Sequence, residues 1–261
     1  MDLSLDRSLA DAYHSRAQIA RVVTEDWVRR EMYCPSCNND VLSPTKPSTL
    51  VVDFSCESCD EAFQLKSQSR PFRSRVLDSA YRPMIESIAT SRAPSFLFLH
   101  YVASEWSVRD VFIVPHYFLS PSAVERRPPL RPTARRAGWV GCNILLSALP
   151  TDARIDVVRN ARPTPEQEVR SVWRAFSFLK SASPESRGWI ADVLACVREL
   201  GRMEFTLADM YRFEDRLGGM HRRNRNVRPK IRQQLQILRD RGLLDFVGNG
   251  NYRLVAKASV S

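Results

Sequence analysis

Apolar residues along this 261-residue chain recur at two spacings, three-to-four and two, and the spacing switches at a few turn-forming stretches. Over 8–31, Leu9, Ala12, Tyr13, Ile19, Ala20, Val23 and Trp27 fall at helical spacing and predict a helix. Thr24-Glu25-Asp26 would also serve as a cap that restarts it. Short strands are predicted over 51–54 and 62–66. Residues 74–90 read as a helix through Val76, Leu77, Ala80, Met84 and Ile88, kinked at Pro83. Strands at 96–103 and 110–114 make a hairpin, and another strand is expected at 154–158. Over 165–179, Val169, Val172, Trp173 and Phe176 share a helical face. Between these elements, 126–141 is rich in proline and arginine and predicts an extended loop. Mixed strands edged by helices are α/β or α+β, and α+β is the expected class.

The last third changes character. Ile190, Val193, Leu194 and Val197 predict a buried helical face over 189–200. Thr206 is placed to cap a helix over 207–217. Pro229 suits the first position of a helix over 229–241, in which Ile231, Leu235 and Leu238 share one side. Strands at 244–247 and 252–255 flank Gly248-Asn249-Gly250, a strong hairpin signal. Three helices and a hairpin are the order of a winged helix, whose third helix enters a major groove. Contact with another protein is the competing use. The polar stretch 181–186 sets the boundary, so the expected domains are 1–182 and 183–261.

Charge sharpens this reading. The net charge is +10; residues 183–261 hold 15 basic and 9 acidic residues, hence +6, which leaves +4 on the first 182. A basic segment of domain size points to a polyanion. Arg222-Arg223-Asn224-Arg225, just before the third helix, favours phosphates over protein. The start of the chain lacks the long apolar core of a signal peptide. The longest apolar run, 96–103, is interrupted by His100 and far short of a membrane span. A soluble intracellular protein is expected.

Two stretches carry chemistry. Cys34-Pro-Ser-Cys37 and Cys56-Glu-Ser-Cys59, eighteen residues apart, match a four-cysteine structural zinc site. Two disulfides are the alternative; Cys142 and Cys196 have no such spacing, and a reducing compartment favours zinc. Asp53 precedes the second pair, and Gln64-Leu65-Lys66 comes after it. Strand alternation puts Gln64 and Lys66 on one face. Asp53, Gln64 and Lys66 resemble the Asp…(Glu/Gln)-x-Lys arrangement of restriction-type nucleases, which implies Mg²⁺ held by Asp53 and Gln64, with Lys66 near the attacking water. Taken alone the pattern is weak, and a surface strand with a salt bridge is the plainer reading. Trp139, with Arg135 and Arg136 beside it and Gly138 and Gly141 around it, is a candidate for DNA contact, with a core tryptophan as the alternative. Arg228, just before the third helix, and Lys230, Arg232, Gln233 and Gln236 on it are the candidates for the groove.

Beyond these motifs, the chain resembles the DpnI family of methyl-directed restriction endonucleases over nearly its whole length. The resemblance rests on Thr24-Glu25-Asp26-Trp27-Val28, on the cysteine pairs with Asp53-Phe54, and on Phe63-x-Leu65-Lys66-Ser67. It continues through Pro132-Thr133-Ala134-Arg135-Arg136-Ala137-Gly138-Trp139, Ser186-Arg187-Gly188-Trp189, Asp209-Met210-Tyr211-Arg212-Phe213-Glu214 and the run from Lys230 to Asp240. It implies a restriction-endonuclease-like PD-(D/E)xK domain with the zinc site, a C-terminal winged helix, and contact of both domains with double-stranded DNA at GATC bearing N6-methyladenine. It implies Mg²⁺ as catalytic cofactor, structural Zn²⁺, and a monomer in a prokaryotic cytoplasm. One departure matters: the family pattern carries Glu where this chain has Gln64, which lowers the charge of the metal site. A DNA-binding protein whose cleavage centre is impaired at Gln64 is therefore the alternative. A zinc-ribbon adaptor for proteins is a weaker third reading.

Overall fold

The computed structural model describes residues 1–45 and 52–255, so the strand expected over 51–54 begins outside the described residues, at Val51. A 3-10 turn, Arg7–Ala10, precedes helix α1 (Arg16–Glu31). The single helix expected from residue 8 is thus broken at 11–15, where Ser15 takes an extended conformation as the N-cap of α1. Helix α1 buries Ile19, Val23, Thr24, Trp27 and Val28, and the Trp27 Nε1–H donates to the Asp2 carbonyl at 2.8 Å.

Next in the chain are strands β1 (Ser43–Pro44), β2 (Phe54–Ser55), β3 (Ala62–Gln68) and β4 (Arg75–Ala80), then α2 (Tyr81–Ala89). The helix expected over 74–90 is therefore half strand. Val76, Leu77 and Ala80 mimic helical spacing, but 75–80 is extended, and Val76 pairs with Ile144 far along the chain. Pro83 does not kink a helix. It is the third residue of α2, where its missing N–H removes no intrahelical bond. Then come β5 (Ser95–Val102), β6 (Ser107–Val114), β7 (Val124–Arg126), β8 (Gly141–Leu145), β9 (Ile155–Arg159), β10 (Arg162–Pro163) and α3 (Glu166–Phe176). Among the described residues, one sheet runs β1-β2-β3-β5-β6-β9-β10 and a second runs β4-β8-β7. Only the β3–β5 pairing within them is parallel.

Period-two alternation divides the large sheet into two faces. Leu97, Leu99, Val111 and Ile113 join the core formed with α1 and α3. Phe96, Phe98, Phe112 and Val114 join a second cluster with the small sheet and α2. On β3, Phe63 belongs to the first face, so Gln64 and Lys66 share the other, with Lys66 Nζ 5.9 Å from the centre of the Phe96 ring.

The remainder is α4 (Pro184–Glu199), β11 (Glu204–Thr206), α5 (Leu207–Tyr211), α6 (Glu214–Met220), α7 (Val227–Asp240), β12 (Leu244–Gly248) and β13 (Asn251–Leu254). These strands form a third sheet ordered β11-β13-β12, the wing. Thr206 and Asp209 make a reciprocal capping box at α5. The single helix expected over 207–217 is two, parted at Arg212-Phe213. Helix α7 starts at Val227, which moves Pro229 to its third position. The polar segment 181–186 is half helix, since Ser183 caps α4 and Pro184 opens it. The overall class is α+β with a winged helix at the C-terminal end, as expected.

Trp173 sits fully buried beneath β3, against Phe63 and Tyr117, and its backbone carbonyl accepts from the Tyr117 hydroxyl at 3.0 Å. Trp173→Ala empties this space and is expected to destabilise the chain by about 3–5 kcal/mol. Urea unfolding measures it, and a loss below about 1 kcal/mol would rule out this packing role.

Candidate active site

Two short turns build the cysteine cluster. Cys34 N–H donates to Asn39 O at 2.9 Å, and Cys56 N–H to Glu61 O at 2.9 Å. Asp60 takes a positive φ of 56° to close the second turn. The four Sγ atoms lie within 4.8 Å of one another, with Cys34–Cys59 at 3.6 Å and Cys37–Cys56 at 3.5 Å. A tetrahedron of sulfurs about 2.3 Å from zinc has edges of about 3.8 Å. The cluster therefore has the size and donor chemistry of a closed zinc site. Burial works against ionisation of Cys56, yet hydrogen bonds from the Asn39 amide and the Ser58 N–H bring its thiol down to about 6. Cys34, more deeply buried, is shifted up. Arg170 braces the knuckle from outside, donating to Cys34 O at 3.2 Å and Asn39 O at 3.4 Å.

The knuckle leads straight into the candidate catalytic residues. Asp53 N–H donates to Phe63 O at 2.9 Å, and Asp53 Oδ2 accepts from Leu65 N–H at 2.7 Å. Phe54 pairs with Phe63, and one step along the same ladder sets Asp53 opposite Gln64. Gln64 is buried, and its Oε1 has no hydrogen-bond donor. A buried oxygen left so costs about 1–3 kcal/mol. The Asp53 carboxylate and this orphaned amide oxygen are hard donors of the kind Mg²⁺ takes. The residues present thus fit a divalent cation. Lys66, on the Gln64 face, sits with its ammonium 2.5 Å from Asp78 Oδ1.

Two acids here were not singled out by sequence reasoning. Glu25 on α1 lines a surface cleft together with Asp53, Arg21 and Thr45. Burial raises its carboxyl above the ordinary glutamate value, Arg21 at 3.7 Å opposes the shift, and the Asp53 charge adds to it. Its only sequence signal was its place in a capping run. Asp78 was hidden by the helical reading of its strand. Glu61, by contrast, turns away from this centre: it takes hydrogen bonds from Lys180 Nζ at 2.6 Å and Ser95 Oγ at 3.0 Å, with His116 Nε2 at 3.6 Å.

The proline- and arginine-rich segment is a loop, as expected: it joins β7 to β8 without strand of its own and is closed by backbone hydrogen bonds. Arg127 N–H donates to Gly141 O, Leu130 N–H to Trp139 O, and Gly138 N–H to Leu130 O. Trp139 is half-buried, with the Arg136 guanidinium 4.7 Å from its ring centre. Its indole lies on Gly141 so closely that a Cβ there would meet ring carbons at 2.7 and 2.8 Å. Arg135 and Arg136 are exposed. On α7, Arg228, Arg232, Gln233 and Gln236 are exposed and Lys230 is half-buried, opposite the buried Ile231, Leu235 and Leu238. Arg228 is engaged, donating to Glu214 Oε2 at 2.7 Å and lying 5.0 Å from the Tyr211 ring centre.

Comparison with protein families decides the affiliation. The DpnI model, described as the Dam-replacing family, matches residues 1–182, and the DpnI_C model, described as the Dam-replacing HTH domain, matches 185–254. The chain belongs to the DpnI, Dam-replacing family. Membership implies a methylation-dependent restriction endonuclease, and the helix-turn-helix match implies DNA binding. The four-cysteine cluster of this DpnI-family chain could hold zinc. Among the described residues no helix is long and apolar enough to cross a membrane.

The raised Glu25 carboxyl has a sign that can be checked. The folded state disfavours its ionised form, so the penalty is absent at acid pH and complete once pH exceeds the folded-state value. Glu25→Gln is therefore expected to raise the melting temperature of metal-free protein near neutral pH, with the gain shrinking as pH falls through the carboxylate range. A gain that grows toward acid pH would contradict this.

Proposed function

We propose that this chain is a Mg²⁺-dependent type II restriction endonuclease that cleaves double-stranded DNA at GATC sites carrying N6-methyladenine. Residues 1–182 would be the zinc-containing nuclease domain and 183–261 a winged-helix reader, in a protein that is a monomer in solution, in a prokaryotic cytoplasm. The observation that carries this reading is the orphaned Gln64 oxygen opposite Asp53, with Lys66 on the same face of β3.

Asp53 and Gln64 would hold the ion. When bound, Mg²⁺ supplies Lewis-acid activation of the scissile phosphate and of water. Lys66 orients the attacking water and offsets charge developing on the phosphoryl oxygens. Zinc, with four protein ligands, keeps no open position and serves structure alone. Arg135, Arg136 and Trp139 face DNA from the first domain, and Arg228, Lys230, Arg232, Gln233 and Gln236 from the second. Arg228 must first exchange Glu214 for a phosphate or a base edge. Burying one N6 methyl contributes about 0.8 kcal/mol, roughly fourfold, so a palindrome with two methyls yields about 1.6 kcal/mol per reading domain. Discrimination on that scale favours reading by both domains.

A second reading rests on the neutrality of Gln64, a position at which the resemblance implies an acid: the chain would then bind methylated DNA without cutting it. Incubation of the purified protein with methylated and unmethylated plasmid plus Mg²⁺ separates the two. Fragments from methylated DNA alone are expected, lost in Asp53→Ala and Lys66→Ala and retained in Gln64→Glu at lower Mg²⁺. A mobility shift without cutting would select the second reading, and unchanged cutting by Asp53→Ala would remove the site assignment. Trp139→Ala is expected to lower the methylated-to-unmethylated cutting ratio by about fourfold for each methyl the indole covers. An unaltered ratio would end its role as reader.

A further inference from the structure

The ion pair between Lys66 and Asp78 joins two strands from different sheets, and its two partners stand differently toward solvent. The Asp78 side chain is wholly buried, whereas that of Lys66 is 18 % exposed. The acid therefore stands behind and the ammonium in front, on the face of β3 that carries Gln64. Asp78 Oδ1 makes no directed hydrogen bond, so the 2.5 Å approach is a contact of charges. Its other oxygen meets Ser79 Oγ at 3.3 Å and Cys142 Sγ at 3.9 Å, both weak donors at those distances. The β4–β8 register slips between Leu77 and Ala80, which places Asp78 in an irregularity of the strand. Bulges of this kind re-aim a side chain beside functional sites.

Formal charges give the pair a purpose. Gln64 is neutral, so Asp53 and Lys66 alone would sum to zero and offer a cation little attraction. Glu25 is already opposed by Arg21. We propose that Asp78 is the counter-ion that allows this amide-bearing centre to take a divalent cation: it cancels Lys66, leaves Asp53 its net negative charge, and fixes the ammonium on the Gln64 side. This rests on the reading of Asp53 and Gln64 as the cation site. Asp78 acts through Lys66 and is a positioning residue, not a ligand.

The test is Mn²⁺ binding to the zinc-loaded full chain without DNA, read by electron paramagnetic resonance of free Mn²⁺, with melting curves as a check on folding. Asp78→Asn leaves the Lys66 charge uncompensated and is expected to weaken Mn²⁺ binding by about tenfold or more. The double variant Lys66→Met with Asp78→Asn removes both charges, and its affinity is expected to return to within about twofold of wild type while cleavage stays lost. Unchanged affinity in Asp78→Asn overturns the proposal, as does a double variant that binds Mn²⁺ as weakly as Asp78→Asn. Should the single variant fail to fold, the double variant carries the test, because a neutral buried pair replaces an ionic one. In that case wild-type affinity supports the counter-ion role, and a tenfold loss overturns it. Asp53→Ala keeps the two ideas apart. If it abolishes Mn²⁺ binding while Asp78→Asn does not affect it, only the counter-ion role fails. If it leaves binding intact, the site itself fails, and the counter-ion role with it.

Discussion

Strand β2 is two residues long, and Asp53 stands immediately before it. A strand so short contributes little pairing energy of its own, so its position must come from the segments at its two ends. Cys56 begins the zinc turn immediately after Ser55, and Arg170 ties the opposite turn of the cluster to α3. With a metal across the four sulfurs, β2 is fixed at one end by coordination and at the other by the Asp53–Leu65 hydrogen bond. Such anchoring would reinforce the β2–β3 register that sets Asp53 against Gln64. Metal binding of this sort contributes to folding outright.

The basic surfaces are internally engaged before any DNA arrives. Arg136 rests on Trp139, and Arg228 lies between Glu214 and Tyr211. Exposed pairs of this kind are worth about 0–1 kcal/mol, so either guanidinium would cost little to release if a phosphate came to it. The contacts hold the long side chains in a few orientations and would thereby limit the entropy lost if these arginines met a polyanion.

Local features were legible in the sequence, and distant ones were not. Each pair of cysteines, the alternation of Gln64 and Lys66, the cap at Thr206 and the hairpin at Asn249 are all written within a few residues. The structure reproduces those arrangements. Strand β4 reads as a helix because three apolar residues fit that spacing, while the partner that decides the matter, β8, lies more than sixty residues away. Glu25 and Asp78 are silent in the sequence for the same reason. One is brought to Asp53 by the packing of α1, the other to Lys66 by a second sheet, and neither has a telling neighbour in the chain.

Between the 3-10 turn that ends at Ser181 and the helix that opens at Pro184 stand only Ala182 and Ser183. Three peptide steps span at most about 10 Å. The turn itself is moored, since Lys180 grips both Glu61 and Ser36 beside the cysteines. A leash this tight leaves the two halves little room to roam apart. Across the same junction Ser122 Oγ–H donates to Asp192 Oδ1 at 3.0 Å and Arg187 Nη2–H to Ser91 Oγ at 2.9 Å, so a protease nick at Ala182 would not by itself part the two sides.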